Sequence, residues 1–243
     1  NKGGWNTTFA VPVSAGGSRT IGAYGSTTPN GLVSGVAFAV MAKVTVSSAS
    51  GPVGTQVMVT GISFGVSETG ITLTYDGAAV ASGLNANADG GWNATFTIPA
   101  SVTGNHRVAA YGSITPVTGV VEAYFSVTPN ISLNPTSGFV GTAITITGSG
   151  FAASKTITIT YDGTALSTNP SPPTTSTQGS FEATFTAPRS KGGGHKVLVT
   201  DGVSSREAEC TGFLPLVRHT RPQRRLLFPA SGHSSRLYHA LHQ

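Results

Sequence analysis

The stretch Asn134–Phe151 reads Asn-Pro-Thr-Ser-Gly-Phe-Val-Gly-Thr-Ala-Ile-Thr-Ile-Thr-Gly-Ser-Gly-Phe. The prolines, serines and glycines near its two ends are typical of turns. Between these ends Ile144 and Ile146 alternate with threonines, which is the two-residue period of a half-buried strand. The pattern therefore predicts a turn, a short strand and a second turn, with Phe151 folding back onto a core.

Nearly the same string occurs at Ser50–Phe64, at a spacing of 87 residues. The same spacing relates Trp5 to Trp92 and other positions nearer the start of the chain. A self-match at fixed spacing is the signature of a repeat architecture. The sequence therefore predicts tandem repeats of about 87 residues, each long enough to bury its own core.

The composition favours an all-β chain with many turns. The 243 residues include 32 glycines and 14 prolines, and only 9% of the residues are charged. Short alternating strands recur at spacings of about ten residues, which is typical of a two-sheet sandwich. Asp76-Gly77 and Asp162-Gly163 lie between alternating runs and predict two-residue hairpins. No apolar run approaches the roughly 18 residues that a membrane-spanning helix needs.

The chain divides into four segments at the sequence level. We expect residues 1–43 to be the C-terminal half of a repeat, so that the chain is a fragment of a longer array. Residues 44–128 and 129–211 are expected to be complete repeats. Residues 212–243 are expected to be a basic tail, disordered or non-native, that adds nothing to the fold. The net charge of +5 belongs to this tail, because the segment before it has nine basic and nine acidic residues.

Two motifs carry a family resemblance. The pattern Pro-x-x-Gly-x-x-Gly-Thr-x-Ile-Thr-Ile-x-Gly-x-Gly-Phe at Pro135–Phe151 resembles the IPT/TIG group of immunoglobulin-like domains. The string at Gly179–Pro188 is similar to immunoglobulin-like repeats of large bacterial and archaeal surface proteins. The resemblance implies tandem immunoglobulin-like β-sandwich repeats, the first one truncated, and gives no catalytic residues to carry over. Ser63 replaces the glycine that matches Gly150, so that turn is expected to differ.

Two histidines and two aspartates are candidates for chemistry. His106 and His195 occupy matching positions, but Arg19 stands there in the first copy. No acidic or second histidine partner lies within motif range, which favours a structural role at the rim of the sandwich. Asp76 and Asp162 are explained as hairpin residues, because a calcium ion needs six or more oxygen ligands.

Aromatic residues and glycosylation motifs have a simple explanation as well. Trp5 and Trp92 are candidates for stacking on a sugar, but they lie in phase with Phe9 and Phe96 and are therefore expected in the core. Three sites match the N-glycosylation motif, which is short and also arises by chance in a threonine-rich chain. These sites are Asn6, Asn93 and Asn130.

No catalytic order of serine, histidine and aspartate, zinc spacing or phosphate loop is present, so we expect no enzyme activity, cofactor or metal site. The sequence favours a structural or adhesive repeat segment, a spacer or stalk, of a large exported cell-surface protein. Its expected partners are glycans or other surface proteins, bound weakly. An alternative is a non-catalytic accessory module of a secreted polysaccharide-active enzyme. Nucleic-acid binding through the arginine-rich tail is not expected, because the tail lacks a folded scaffold.

Overall fold

Alternating apolar and polar residues produce β-strands throughout the described part of the chain. The computed structural model describes residues 4–214, in which one 3₁₀ turn (Val117–Gly119) accompanies the strands. No helix within this range is long and apolar enough to span a membrane. The first eleven strands are β1 (Gly17–Ile21), β2 (Val36–Val40), β3 (Ala42–Val46), β4 (Ser50–Gly51), β5 (Gln56–Ile62), β6 (Ile71–Tyr75), β7 (Ala78–Leu84), β8 (Trp92–Thr97), β9 (Gly104–Tyr111), β10 (Val120–Val121) and β11 (Ala123–Val127). The remaining strands are β12 (Asn130–Asn134), β13 (Ser137–Phe139), β14 (Ala143–Ser149), β15 (Thr158–Tyr161), β16 (Thr164–Ala165), β17 (Phe181–Thr186), β18 (Gly194–Thr200) and β19 (Ser205–Leu214).

These strands form a hairpin followed by two sandwiches. The first sandwich contains β3–β11, in sheets of order β10-β3-β5-β8 and β4-β11-β9-β6-β7. The second sandwich contains β12–β19, in sheets of order β12-β14-β17 and β13-β19-β18-β15-β16. A short parallel edge strand (β4 or β13) beside the last long strand, with the other pairs of each main sheet antiparallel, is the arrangement of immunoglobulin-like folds. The predicted all-β tandem sandwich is therefore confirmed.

Each sandwich buries its own core. The inward positions of β5 and β14, such as Val57, Val59, Ile144 and Ile146, are fully buried. The buried apolar residues form two separate clusters, one in each sandwich. The first sandwich has nine strands and the second has eight, and the two-residue edge strands among them, such as β4 and β10, carry no readable alternation.

A glycine opposite an aromatic residue explains part of the repeated motif. Gly61 pairs with Trp92 across β5 and β8, and Gly148 pairs with Phe181 across β14 and β17. A Cβ atom at either glycine would overlap the facing ring. The glycine that ends each alternating run therefore makes room for the ring, which then packs edge-on against Phe64 or Phe151.

The turn after β5 keeps its shape although its glycine is lost. Ser63 has a φ of 57°, and Gly150 at the matching position has a φ of 70°. The expectation that this turn differs is wrong, because serine occupies the left-handed region there at some energetic cost.

The last described strand is longer than predicted. The sequence predicted that the second complete repeat ends at residue 211, whereas β19 spans Ser205–Leu214. It pairs with β18 on one side and with β13 on the other, so hydrogen bonding extends it beyond the alternating residues. The backbone of residues 212–214 therefore belongs to this strand, and the rest of the predicted tail lies outside the described residues.

The β1–β2 hairpin repeats the pairing of β9 and β11. Gly17 is opposite Val40, and Gly104 is opposite Val127, at the same spacing of 87 residues. The described residues contain no counterpart of β5 or β6 to cover this hairpin. Trp5 is consequently 71% exposed, whereas Trp92 is 4% exposed. The prediction of a core position is thus confirmed for Trp92 and wrong for Trp5.

Candidate functional site: a repeated aspartate–histidine–tyrosine cluster

An Asp-Gly turn begins the same cluster of side chains in both sandwiches. Asp76-Gly77 joins β6 to β7, and Asp162-Gly163 joins β15 to β16. All four residues have positive φ, with 50° and 85° in the first turn and 47° and 82° in the second. This is the backbone of a type I′ turn, so the predicted hairpins are confirmed.

The turn aspartate binds the neighbouring strand with both carboxylate oxygens. In the first sandwich Asp76 accepts hydrogen bonds from the Arg107 backbone N–H (2.8 Å) and from His106 Nδ1 (2.6 Å). In the second sandwich Asp162 accepts hydrogen bonds from the Lys196 backbone N–H (2.9 Å) and from His195 Nδ1 (2.7 Å). The two clusters agree to about a tenth of an ångström, so this geometry is a property of the repeat.

The second ring nitrogen of each histidine is also engaged. His106 Nε2 lies 2.9 Å from the Val102 carbonyl oxygen, and His195 Nε2 lies 2.8 Å from the Lys191 carbonyl oxygen. A carbonyl and a carboxylate are both acceptors, so only the protonated imidazolium donates to both partners. The hydrogen bond that His195 donates to Asp162 is the main cause that raises the pKa of His195, against the opposing effect of burial. The same hydrogen bond lowers the pKa of Asp162, assisted by the Lys196 N–H.

A tyrosine ring covers each histidine. Tyr75 stacks on His106 with ring centres 5.1 Å apart, and Tyr161 stacks on His195 at 4.9 Å. The tyrosine hydroxyl lies 3.1 Å from Ser101 Oγ in the first sandwich and 3.1 Å from Ser190 Oγ in the second. The cluster thus ties the Asp-Gly turn to the loop that precedes β9 or β18.

The arrangement is suited to holding loops together. An imidazole whose two nitrogens both contact acceptors has no free site with which to remove a proton from a substrate. Within the described part of the chain, no group of three histidine, cysteine, aspartate or glutamate side chains is placed to bind a metal ion. What the cluster can do chemically is to cross-link three backbone segments.

A buried carboxylate closes the opposite end of each sandwich. Glu68, which is 1% exposed, accepts hydrogen bonds from the backbone N–H groups of Gly65, Ile114 and Thr115 and from the Thr115 hydroxyl. In the second sandwich Asp201 accepts them from the N–H groups of Ala152, Val203 and Ser204. Gly65 and Ala152 follow the matching phenylalanines, so both carboxylates bind the same two loops.

The residue that supplies this carboxylate comes from a different loop in each sandwich. Glu68 comes from the loop after β5, whereas Asp201 comes from the turn after β18. Gly112 matches Asp201, because each follows the last residue of its strand, and a Cβ at Gly112 would overlap Glu68 Oε1. Position 112 is therefore a glycine because Glu68 already supplies the carboxylate in the first sandwich.

The structure brings together residues that the sequence left apart. His106 and His195 do have acidic partners, but these lie outside motif range, because the aspartates are 30 and 33 positions away and meet the histidines across the sheet. The recurrence of both residue types in the two complete repeats was the signal available. Glu68 and Asp201 gave no such signal, because neither recurs. The asparagines of the three glycosylation motifs are all exposed, and their modification remains a prediction.

The His195 cluster should make the stability of the second sandwich depend on pH. His195 has a pKa above its ordinary 6.5, so its contribution is complete below pH 6.5 and is lost as the pH rises through the folded-state value. Asp162 has a pKa below its ordinary 3.8, so its contribution is complete above 3.8 and is lost as the pH falls through the folded-state value. We expect His195→Gln to cost about 1 kcal/mol between these limits and less at alkaline pH, since Asp162 is half exposed.

Chemical denaturation of the wild type and of His195→Gln at several pH values measures this difference. Lys196→Gln is a matched control, because it removes only the exposed pair of Lys196 with Glu207. A His195→Gln effect that is the same at mildly acidic and alkaline pH would contradict an ionic role for this histidine.

The family comparison matches the second sandwich. Residues 130–211 match the family model described as the IPT/TIG domain, so the resemblance to that family is shown for this part of the chain. No curated protein matches the sequence.

Solved structures with similar folds share little sequence with the chain. They include the D0-D1 domain of intimin (17% identity, covering 70% of this chain and 97% of that one, TM-score 0.27). A titin structure has 12% identity, with coverage of 72% and 99% and a TM-score of 0.31. A glycosyl hydrolase family 2 member from Bacteroides cellulosilyticus has 13% identity, coverage of 66% and 23%, and a TM-score of 0.28. This chain therefore spans about a quarter of the length of that hydrolase, and likenesses this low carry no argument about function.

Proposed function

We propose that this chain is a structural and adhesive segment, a spacer or stalk, of a large exported cell-surface protein. The proposal rests on a backbone contact between successive units that occurs twice, and we call this contact the joint. The Gly16 N–H donates to the Phe64 carbonyl at 3.2 Å, and the Thr103 N–H donates to the Phe151 carbonyl at 3.3 Å. Gly16 and Thr103 are 87 positions apart, as are the two phenylalanines, so successive units meet through the same contact.

A repeated joint supports a spacer because it gives successive units a constant relation to each other. In repeat proteins each unit contacts only its neighbours, and the array grows in one direction. Here Phe64 and Phe151 bury their rings in their own sandwich while their carbonyls bind the preceding unit. The core of one unit is thus tied directly to the backbone of the preceding unit.

We also propose that the segment has no catalytic role. The histidines with the best geometry for catalysis, His106 and His195, hold acceptors on both ring nitrogens. The buried carboxylates Glu68 and Asp201 are likewise engaged by several backbone N–H groups each. These groups are occupied in holding loops, which is what a mechanical element needs.

Small-angle scattering of the full chain tests the spacer. We expect an elongated particle whose distance distribution has separate features for two lobes. Thr103→Pro should broaden the distance between the lobes, because proline lacks the N–H that reaches Phe151. Thr103→Ala is the matched control, since it keeps that N–H and loses only the side chain. A compact particle with one lobe would contradict the spacer, and equal profiles for both variants would contradict the role of the joint.

A further inference from the structure

The second sandwich has a cleft beside its aspartate–histidine–tyrosine cluster. The cleft has a volume of about 620 Å³ and lies between β16 with its following residues and the loop Pro188–Gly192. This volume falls within the roughly 300–1,000 Å³ typical of ligand sites. Tyr161 and His195 line its inner end. The cleft is therefore large enough for a ligand.

One wall of the cleft is an open sheet edge. β16 is the last strand of its five-stranded sheet among the described strands. The Leu166 N–H points inward, since it donates to the Ile159 carbonyl at 2.9 Å. Inward and outward backbone groups alternate along an antiparallel strand, so Ala165 and Ser167 direct theirs to the open side. Beyond them the chain crosses to the other sheet, where Asn169 pairs with Thr184.

The opposite wall is positively charged. Arg189 and Lys191 are exposed and line the cleft. The carboxylate that lines it, Asp162, is neutralised by His195 and by the Lys196 backbone N–H. The net charge facing the cleft is therefore positive, which favours an anionic ligand.

The first sandwich also has an open edge strand but lacks the positive charge, so it serves as an internal comparison. Ala100 and Val102 stand where Arg189 and Lys191 stand in the second sandwich, as the matching histidine and tyrosine contacts show. Its edge strand β7 has seven residues, whereas β16 has two. The positive charge is therefore an addition to the shared framework, which folds without it in the first sandwich.

We propose that this cleft binds an extended acidic peptide segment of a partner protein. The peptide pairs its backbone with the open edge at Ala165 and Ser167, as in strand addition, and places carboxylates near Arg189 and Lys191. Tyr161 is the one phenylalanine, tyrosine or tryptophan among the described lining residues, and its ring is buried against His195, so it is a poor platform for stacking a sugar. The inference rests on the adhesive part of the proposed function and names its partner chemistry.

The probe is a synthetic peptide of alternating threonine and glutamate, with a glutamine version as its control. Titrated into the full ¹⁵N-labelled chain, the acidic peptide should shift the amide signals of Ala165 and Ser167, and the glutamine version should bind more weakly. Arg189→Ala combined with Lys191→Val restores the residues of the first sandwich and keeps the carbonyl that His195 binds. Two exposed ion pairs contribute up to about 1 kcal/mol each, so this variant should weaken binding about three- to tenfold or more.

A second variant tests the edge separately from the charge. Ala165→Pro removes an outward N–H at a position where an edge strand tolerates proline, so it should reduce binding while the melting temperature changes little. Unchanged affinity in either variant, or amide shifts confined to other surfaces, would overturn the proposal. Tighter binding of a sulfated oligosaccharide than of the acidic peptide would overturn it in favour of a glycan site. The scattering experiment is independent of these outcomes, so failure here leaves the spacer to its own test.

Discussion

Replacing Glu68 with alanine is expected to destabilise the first sandwich by about 3–5 kcal/mol. The change leaves the backbone N–H groups of Ile114 and Thr115 and the Thr115 hydroxyl without their acceptor, whereas the Gly65 N–H keeps the Thr115 hydroxyl oxygen as a partner. Each buried donor that loses its partner costs about 1–3 kcal/mol, with some relief from water that enters the cavity. Urea denaturation followed by Trp92 fluorescence measures the loss, because Trp92 lies in the core of the same sandwich.

The second sandwich supplies a rescue variant for Glu68→Ala. Adding Gly112→Asp places a carboxylate where Asp201 has one, and the alanine at position 68 vacates the space that this side chain needs. We expect the double variant to recover a large part of the lost stability, whereas Gly112→Asp alone should be destabilising through overlap and like charge. No recovery in the double variant would contradict the equivalence of the two ends.

The pH dependence of the Glu68 variant has a definite sign. Burial alone would raise the pKa of Glu68, but the hydrogen bonds from Thr115, Ile114 and Gly65 outweigh it and lower the pKa below 4.5. Its stabilising contribution is therefore complete above pH 4.5 and is lost as the pH falls through the folded-state value. The difference between wild type and Glu68→Ala should shrink at strongly acidic pH.

Trp92→Ala is expected to cost about 3–5 kcal/mol, which is the usual loss for deleting a large buried aromatic side chain. The ring fills the space above Gly61 and packs edge-on against Phe64 with centres 5.3 Å apart. Truncation would leave a cavity that the glycine cannot fill. Thermal unfolding monitored by circular dichroism measures the loss.

Trp92→Phe is the matched control. Phe181 occupies the same place in the second sandwich. Trp92 Nε1 is buried and has no hydrogen-bond partner among the described residues, so its loss removes an unpaired donor. We expect Trp92→Phe to change stability by no more than about 1 kcal/mol. An unchanged melting temperature for Trp92→Ala would show that this tryptophan is not part of the core.

The repeat itself was readable from the sequence because it rests on short-range patterns. Alternating residues such as Ile144 and Ile146 predict strands, and Asp-Gly predicts type I′ turns, since both depend on neighbouring residues only. Trp92 and Phe181, which lie opposite Gly61 and Gly148, follow the same two-residue alternation. These features predict the core of both sandwiches.

The clusters at the ends of the sandwiches depend on contacts between distant residues. His106 meets Asp76 only because β6 and β9 are neighbours in the sheet, and strand order is not written in local periodicity. Trp5 follows the core pattern of Trp92, yet burial depends on a covering strand that residues 4–214 do not provide for it. The partners of Glu68 could not be predicted from the sequence for another reason. They are mainly backbone N–H groups, which no sequence motif identifies.

The buried carboxylate comes from a different loop in each sandwich, and this difference affects misfolding between neighbouring sandwiches. Tandem domains of similar sequence are prone to exchange strands, which produces hybrid domains. A hybrid that joins the β5–β6 loop of the first sandwich to the β18–β19 turn of the second would hold Glu68 and Asp201 in one site, where two like charges repel. The reciprocal hybrid would hold neither, and its backbone donors would be left unpaired. Each chain segment is therefore matched to its own partner, so that strand exchange between adjacent units is opposed by electrostatics at a buried carboxylate.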